Sequence, residues 1–128
     1  HHDKFTRYLA GCAANGAQAE IFHPFTRAVV ALGDVVEGLL ALALRWQGFP
    51  QRILNFGGST VVTRVAFAAL LQRFAMPALQ YKVVDVSTAF SANRPKEIHM
   101  RSALLPLLLG RPAWGLEDAI RQQFASQE

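Results

Sequence analysis

Apolar and polar positions along this chain follow both helical and strand-like periods. Near the start, four apolar residues recur on one side of a helical pattern: Phe5, Tyr8, Leu9 and Cys12. This spacing predicts a helix over Asp3–Asn15 that ends at Gly16. Short runs rich in apolar and β-branched residues predict strands at Ala19–Phe22 and Arg27–Leu32. The mixture of the two periods indicates an α/β or α+β domain.

The second predicted helix runs from Asp34 to about Gln47 and is apolar on almost every side. Asp34 is expected to cap its N-terminus, with Glu37 three residues later as the acidic member of a capping box. Six apolar residues spread around the helix predict deep burial: Val35, Val36, Leu39, Leu40, Leu42 and Leu44.

The alternation continues through the second half of the chain, which gives short strands alternating with about five helices in one domain over residues 1–128. The elements expected there are a strand at Ile53–Phe56, a helix capped by Thr60 or Thr63, a strand at Tyr81–Val86, an irregular stretch at Ser87–Pro95, an extended Glu97–Met100, and helices at Ser102–Leu109 and from Leu116 to about Phe124.

Composition narrows the class of protein. Apolar residues make up 52% of the 128 residues and charged residues 17%, against about 25% charged in a typical globular chain. This excludes a disordered polar tail, and no apolar run approaches the roughly 20 residues that a membrane span needs. So few charges predict an exposed apolar face that another domain or a second copy covers.

The net charge of +4 is mildly basic. The cations are scattered singly, which argues against a nucleic-acid partner and leaves an ordinary basic surface or an anionic ligand as the alternatives. The single cysteine, Cys12, excludes an internal disulfide and a cysteine zinc site, and no secretory signal is recognised at the start. We therefore expect a cytoplasmic protein.

Sequence signatures of catalysis are missing. The chain has no G-x-G-x-x-G and no P-loop lysine motif, and its histidines do not cluster. His1 and His2 are either native or the remnant of a purification tag, and we exclude them from any site. No catalytic residue, metal site or cofactor site is predicted within this chain.

Two arginines are candidate ligands for an anion. Arg27 opens a predicted strand, and Arg94 precedes Pro95 in a polar loop with Lys96 and Glu97 beside it. A planar guanidinium on a rigid segment suits bidentate binding of phosphate. Solvated surface arginines are the alternative interpretation.

Four stretches of this chain resemble motifs of a known family and follow one another in the order and spacing that the family has. They are Arg27 to Asp34, Ile53 to Gly58, Thr63 to Ala68, and Arg94 to Glu97 followed by Met100, Ser102 and Leu109–Gly110. The family is the extended short-chain dehydrogenases/reductases, also called the NAD-dependent epimerase/dehydratase superfamily. The resemblance covers Phe5 to about Phe124, and its last stretch is closest to dTDP-4-dehydrorhamnose reductases. It implies the C-terminal half of an extended Rossmann-type reductase, a substrate-binding part.

The resemblance also implies roles for residues. The arginines that match Arg27 and Arg94 contact the diphosphate of a nucleotide sugar, and the acid that matches Glu97 holds a hydroxyl group. The family's Rossmann part, which carries the NAD(P) loop and the catalytic Tyr-x-x-x-Lys, has no counterpart here, since neither Tyr8 nor Tyr81 has a lysine four residues on.

We therefore expect a nucleotide-sugar-binding part that is not catalytic alone, with NAD(P) bound by the absent Rossmann domain of a longer parent. Epimerase, dehydratase and reductase remain alternatives for that parent. A stand-alone homodimeric interaction domain without enzymatic activity is the rival interpretation.

Overall fold

The computed structural model describes residues 3–125, so His1, His2 and residues 126–128 lie outside it. Its mixed α/β architecture confirms the predicted class. The elements are α1 (Lys4–Asn15), β1 (Gln18–His23), β2 (Thr26–Val29), α2 (Leu32–Leu44), a 3₁₀ turn (Trp46–Gly48), β3 (Thr60–Thr63), α3 (Arg64–Phe74), β4 (Gln80–Asp85), α4 (Thr88–Ser91), β5 (Glu97–Ile98), α5 (Leu105–Leu109) and α6 (Leu116–Ala125).

The strands form two small sheets. β1 and β4 pair in parallel from Gln18↔Gln80 to His23↔Asp85. In the second sheet β2 lies in the middle, antiparallel to β3 and parallel to the two residues of β5. The carboxyl ends of β1 and β4 therefore meet at one edge, close to the start of β2.

One hydrophobic core joins α1, α3 and α6 to β1. Leu9, Ile21 and Leu71 are fully buried at its centre. The predicted ends of α1 are confirmed, because the Asp3 carboxylate accepts the Phe5 and Thr6 amides and Gly16 adopts the left-handed conformation that ends a helix. Burial of such large apolar side chains contributes about 1.5–3 kcal/mol each and holds these elements together.

The second helix, α2, differs most from its prediction. It begins at Leu32, with Ala31 at the N-cap position and no side chain capping it. The expected deep burial is wrong, because Leu40 is 61% exposed and Leu44 is 89% exposed. The helix approaches α5 closely at Gly38, where a Cβ atom would lie 2.8 Å from Leu105 Cδ1. Its apolar face is left open to solvent.

Asp34 lies inside the first turn of α2 rather than at its cap. Its fully buried carboxylate accepts the Trp114 amide through Oδ2 at 2.8 Å and lies 2.9 Å from Nη2 of Arg111 through Oδ1. The same Nη2 lies 2.6 Å from Glu37 Oε2. Interaction with the Asp34 carboxylate, more than with Glu37, raises the pKa of Arg111. Asp34 therefore ties α2 to the segment that precedes α6.

The strand expected at Ile53–Phe56 does not form, because no described strand pairs with it. Ser102 instead links this segment to the rest of the chain: its hydroxyl donates to the Asn55 carbonyl at 2.6 Å and accepts the Gly57 amide. A Cβ atom on Gly58 would lie 1.7 Å from the Val29 carbonyl oxygen, so this close passage past the end of β2 requires glycine.

The other corrections are local. The strand expected to reach Leu32 ends at Val29, and the stretch expected to be irregular contains the short α4. β3 was not predicted; it runs directly into α3, whose capping residue is Thr63. Cys12 is a half-buried free cysteine. Across residues 3–125, the helices are too short or too polar to cross a membrane.

Candidate functional site

The carboxyl ends of the parallel strands bring aromatic side chains together. Phe22, near the end of β1, meets Phe90 of α4 edge to face, with 5.3 Å between ring centroids. The Arg94 guanidinium lies 4.3 Å from the centroid of the Phe90 ring. Open α/β sheets commonly bind ligands at this edge, outside the carboxyl ends of their strands.

Arg27 lies on β2 and uses its guanidinium to hold the neighbouring loop. It donates to the Thr26 carbonyl at 2.7 Å, the Lys96 carbonyl at 3.2 Å and the Pro95 carbonyl at 3.1 Å. These three bonds use three of the five N–H donors of an arginine and leave two for a ligand. Arg27 thereby fixes the segment that directly follows Arg94.

Arg94 is exposed at the other side of this loop. Its backbone amide donates to the Ser91 carbonyl at 3.0 Å, which anchors it to the last turn of α4. Its side chain forms no hydrogen bond or ion pair with the described residues, and its stacking on Phe90 leaves all five N–H donors of the guanidinium available to a ligand.

Glu97 lies on β5, directly opposite Thr26 of β2 in the sheet. Its side chain is 72% exposed, and its closest ionic partner is Nε2 of His99 at 3.9 Å from Oε2. The structure thus brings Glu97 into the same sheet as Arg27 without an ion pair between them. A carboxylate in this position can accept a hydrogen bond from a hydroxyl group and would repel a phosphate.

Arg64 is a residue that the sequence reasoning did not single out. It begins α3, and its guanidinium lies 5.1 Å from the Phe25 ring centroid, over which Arg27 also lies at 5.5 Å. Burial, with the charges of Arg27 and Arg94, lowers the pKa of Arg64. A cation at the positive end of a helix is unfavourable, and this was the signal available in the sequence.

We refer to Arg27, Arg64 and Arg94 as the arginine cluster. They come from β2, from the start of α3 and from the loop before β5. Within residues 3–125, no Asp or Glu forms an ion pair with any of them. The cluster is therefore a local excess of positive charge that can bind an anion.

Groups that would support other chemistry are not found in the described part of the chain. No set of three His, Cys, Asp or Glu residues there has the arrangement of a metal site. His23 lies at the end of β1, and His99 lies in the segment that follows β5. The arrangement is suited to binding and orienting a ligand.

Comparison with known proteins identifies the fold. No protein-family profile matches this chain, and no curated protein matches its sequence. Among solved structures, it is similar over 100% of its length to 44% of dTDP-4-dehydrorhamnose reductase from Bacillus anthracis, solved in complex with NADP, with a TM-score of 0.71 and 13% identity.

Two further structures show the same similarity. UDP-glucuronic acid 4-epimerase from Bacillus cereus, in complex with UDP-glucuronic acid and NAD, has a TM-score of 0.68 and 18% identity, with 98% of this chain and 40% of that chain covered. dTDP-glucose 4,6-dehydratase from Bacillus anthracis, in complex with NAD, has a TM-score of 0.66 and 12% identity, with the same coverage.

The chain thus spans less than half the length of each of these enzymes. Identities this low establish the fold and no more. The chain has the fold of the matching parts of these reductase, epimerase and dehydratase structures.

Proposed function

We propose that this chain is the substrate-binding part of an NAD(P)-dependent enzyme that acts on nucleotide sugars as an epimerase, dehydratase or reductase. The observation that carries the proposal is the arginine cluster, of which Arg94 lies over Phe90 of the aromatic pair Phe22–Phe90. The cluster has no carboxylate partner among the described residues. Its role is to position the substrate, not to break bonds.

Each predicted site residue has a distinct part in this proposal. Arg94 supplies a free guanidinium for the diphosphate of the substrate, at the ring of Phe90. Arg27 holds the loop that follows Arg94 and directs its remaining donors to the same anion. Glu97 accepts a hydrogen bond from a hydroxyl group of the nucleotide sugar.

The proposal includes a second, Rossmann part of a longer parent that carries NAD(P) and the Tyr-x-x-x-Lys residues. The apolar face of α2 supports it, because Leu40 and Leu44 are more than half exposed. A groove of about 660 Å³, lined by Leu32, Val36, Leu40 and Trp114 among others, continues this face towards α6. We propose that the Rossmann part covers this apolar face and groove. We also propose that the protein is cytoplasmic, a compartment in which the free thiol of Cys12 stays reduced.

A homodimer is the second candidate, and the same apolar face favours it. In that case two copies bury α2 against each other and the chain functions as an interaction domain without enzymatic activity. Gel filtration of the chain separates the two candidates, because only the dimer elutes at twice the monomer mass. Substitution of Leu40 and Leu44 by Lys would return that dimer to a monomer.

Calorimetric titration tests the proposed function. We expect UDP or dTDP to bind the chain and NAD and NADP not to bind, because the cofactor site belongs to the other part. Arg94→Gln should weaken nucleoside diphosphate binding about tenfold, the loss of one charge-assisted pair. Arg45→Gln is the matched control, an exposed arginine at the end of α2.

Three results would overturn the proposal. One is tight binding of NAD or NADP by this chain. Another is the absence of any binding of nucleoside diphosphates. The third is an equal loss of nucleoside diphosphate affinity in Arg94→Gln and Arg45→Gln, which would assign the affinity to net charge alone.

A further inference from the structure

Arg64 is held in place by its surroundings, at the junction of β3 and α3. Its backbone amide donates to the Phe25 carbonyl at 3.0 Å, and the preceding Thr63 caps the helix by accepting the Ala66 amide. The guanidinium lies between two rings, 5.5 Å from the Phe5 centroid and 5.1 Å from the Phe25 centroid. These contacts fix the direction of the side chain without using its N–H donors.

The charge of Arg64 is poorly compensated. In the part of the chain that the structure describes, its side chain has no ion pair and no hydrogen bond, and α3 carries no acidic residue in its first turn. Its neighbours Arg27 and Arg94 have the same charge, and together with burial they lower its pKa. Arg64 is the second cation over the Phe25 ring and lies at the positive end of α3, and both of these features are electrostatically unfavourable.

A cavity of about 340 Å³ opens where Arg27 and Arg64 approach each other. Its walls are apolar, formed by Phe5, Val29, Val62 and Phe67, and Asp3 lies at its edge. The Asp3 carboxylate is already engaged at the start of α1, where it accepts two backbone amides and the Thr6 hydroxyl. The cavity therefore presents two guanidiniums against one carboxylate, which is held at the start of α1, and its partly apolar surroundings strengthen binding of an anion.

We propose that Arg64 is a third binding residue at this site, which together with Arg27 takes the second phosphate of a diphosphate ligand while Arg94 takes the first. The inference rests on the proposed function and adds a specificity: a diphosphate binds more tightly than a monophosphate because only it reaches both groups. A purely structural Arg64, held by its aromatic contacts, would support stability and leave this preference unchanged.

The experiment compares inorganic pyrophosphate with inorganic orthophosphate by calorimetry at constant ionic strength. We expect the wild-type chain to prefer pyrophosphate, and Arg64→Gln to weaken pyrophosphate about tenfold while orthophosphate changes about twofold or less. Arg73→Gln is the matched control, because Arg73 is an exposed arginine on the same helix that also lies over a phenylalanine ring. It should leave both affinities unchanged.

If Arg64→Gln does not fold, Arg64→Lys still tests the inference, because lysine retains the positive charge and lacks the planar guanidinium that binds phosphate through two N–H groups. It should weaken pyrophosphate about threefold and keep the thermal midpoint near that of the wild type. The inference is wrong if pyrophosphate binds and neither Arg64 variant differs from Arg73→Gln. A wild-type chain that binds neither these anions nor UDP or dTDP overturns the proposed function together with this inference. A chain that binds UDP or dTDP and does not prefer pyrophosphate overturns this inference alone.

Discussion

Arg111 and Arg64 are partly buried arginines beside aromatic rings, and their surroundings differ completely. Arg111 lies 5.1 Å from the Trp114 ring centroid and pairs with the carboxylates of Asp34 and Glu37. Arg64 lies over two phenylalanine rings and has two arginines as its charged neighbours. The pKa of Arg111 is raised, chiefly by its hydrogen bond to Asp34, and the pKa of Arg64 is lowered, first by burial and then by the charges of Arg27 and Arg94.

The difference is that between an internal ion pair and a candidate ligand site. At Arg111 the fold supplies its own anions, so the charge stabilises the contact between α2 and the segment before α6. In the arginine cluster the described residues supply no carboxylate partner, and we propose that a bound anion compensates the charge. Partly buried cations without partners carry a desolvation cost that a bound anion removes.

Removal of the Asp34 carboxylate should have the largest effect on stability. Asp34→Ala leaves the Trp114 amide and Arg111 without their buried acceptor, and we expect a loss of about 2–4 kcal/mol in the free energy of unfolding. Chemical denaturation followed by circular dichroism measures it. The control, Glu37→Gln, removes only the exposed partner of Arg111 and should cost less than about 1 kcal/mol.

An equal loss of free energy of unfolding in these two variants would contradict the larger contribution that we assign to the buried Asp34 carboxylate. It would mean that the buried position of Asp34 contributes nothing beyond its charge, and the contrast with the arginine cluster would weaken.

Substitution of Arg27 should have a smaller effect, about 1–2 kcal/mol. Arg27→Gln removes the donors that hold the Pro95 and Lys96 carbonyls, which lie beside Arg94 and Glu97. Hydrogen exchange should therefore quicken at the Thr26 amide, which donates to the Lys96 carbonyl at 2.8 Å. Unchanged exchange there in Arg27→Gln would show that Arg27 does not hold this loop.

Local signals explain how much of the fold could be predicted. The start and end of α1 follow from Asp3 and Gly16, whose effects act within one helical turn. The same rule failed at Asp34, because its carboxylate meets Trp114 and Arg111, about 80 residues away in sequence, and no local pattern shows this contact. The apolar face of α2 was predicted to be buried because its residues are apolar, but an apolar pattern does not show which element covers it, and Leu40 and Leu44 are exposed.

The candidate site shows the same contrast between short local motifs and contacts that join residues distant in the sequence. Arg27, Arg94 and Glu97 stand out because they belong to short motifs of fixed spacing. Arg64 also lies in such a stretch, Thr63 to Ala68, but it was not singled out, because its place beside Phe25 depends on β3, in which Thr63 pairs with Thr26. That stretch was interpreted as the start of a helix, so the antiparallel pairing that completes the arginine cluster was missed.

The most direct test of the central claim is the response of each arginine Nε–Hε signal to pyrophosphate in nitrogen-15 nuclear magnetic resonance spectra. Our account predicts large shifts for Arg27, Arg64 and Arg94 and none for Arg111, which already has its own carboxylates. Shifts at Arg111 as large as those in the arginine cluster, or a cluster that does not respond, would contradict it.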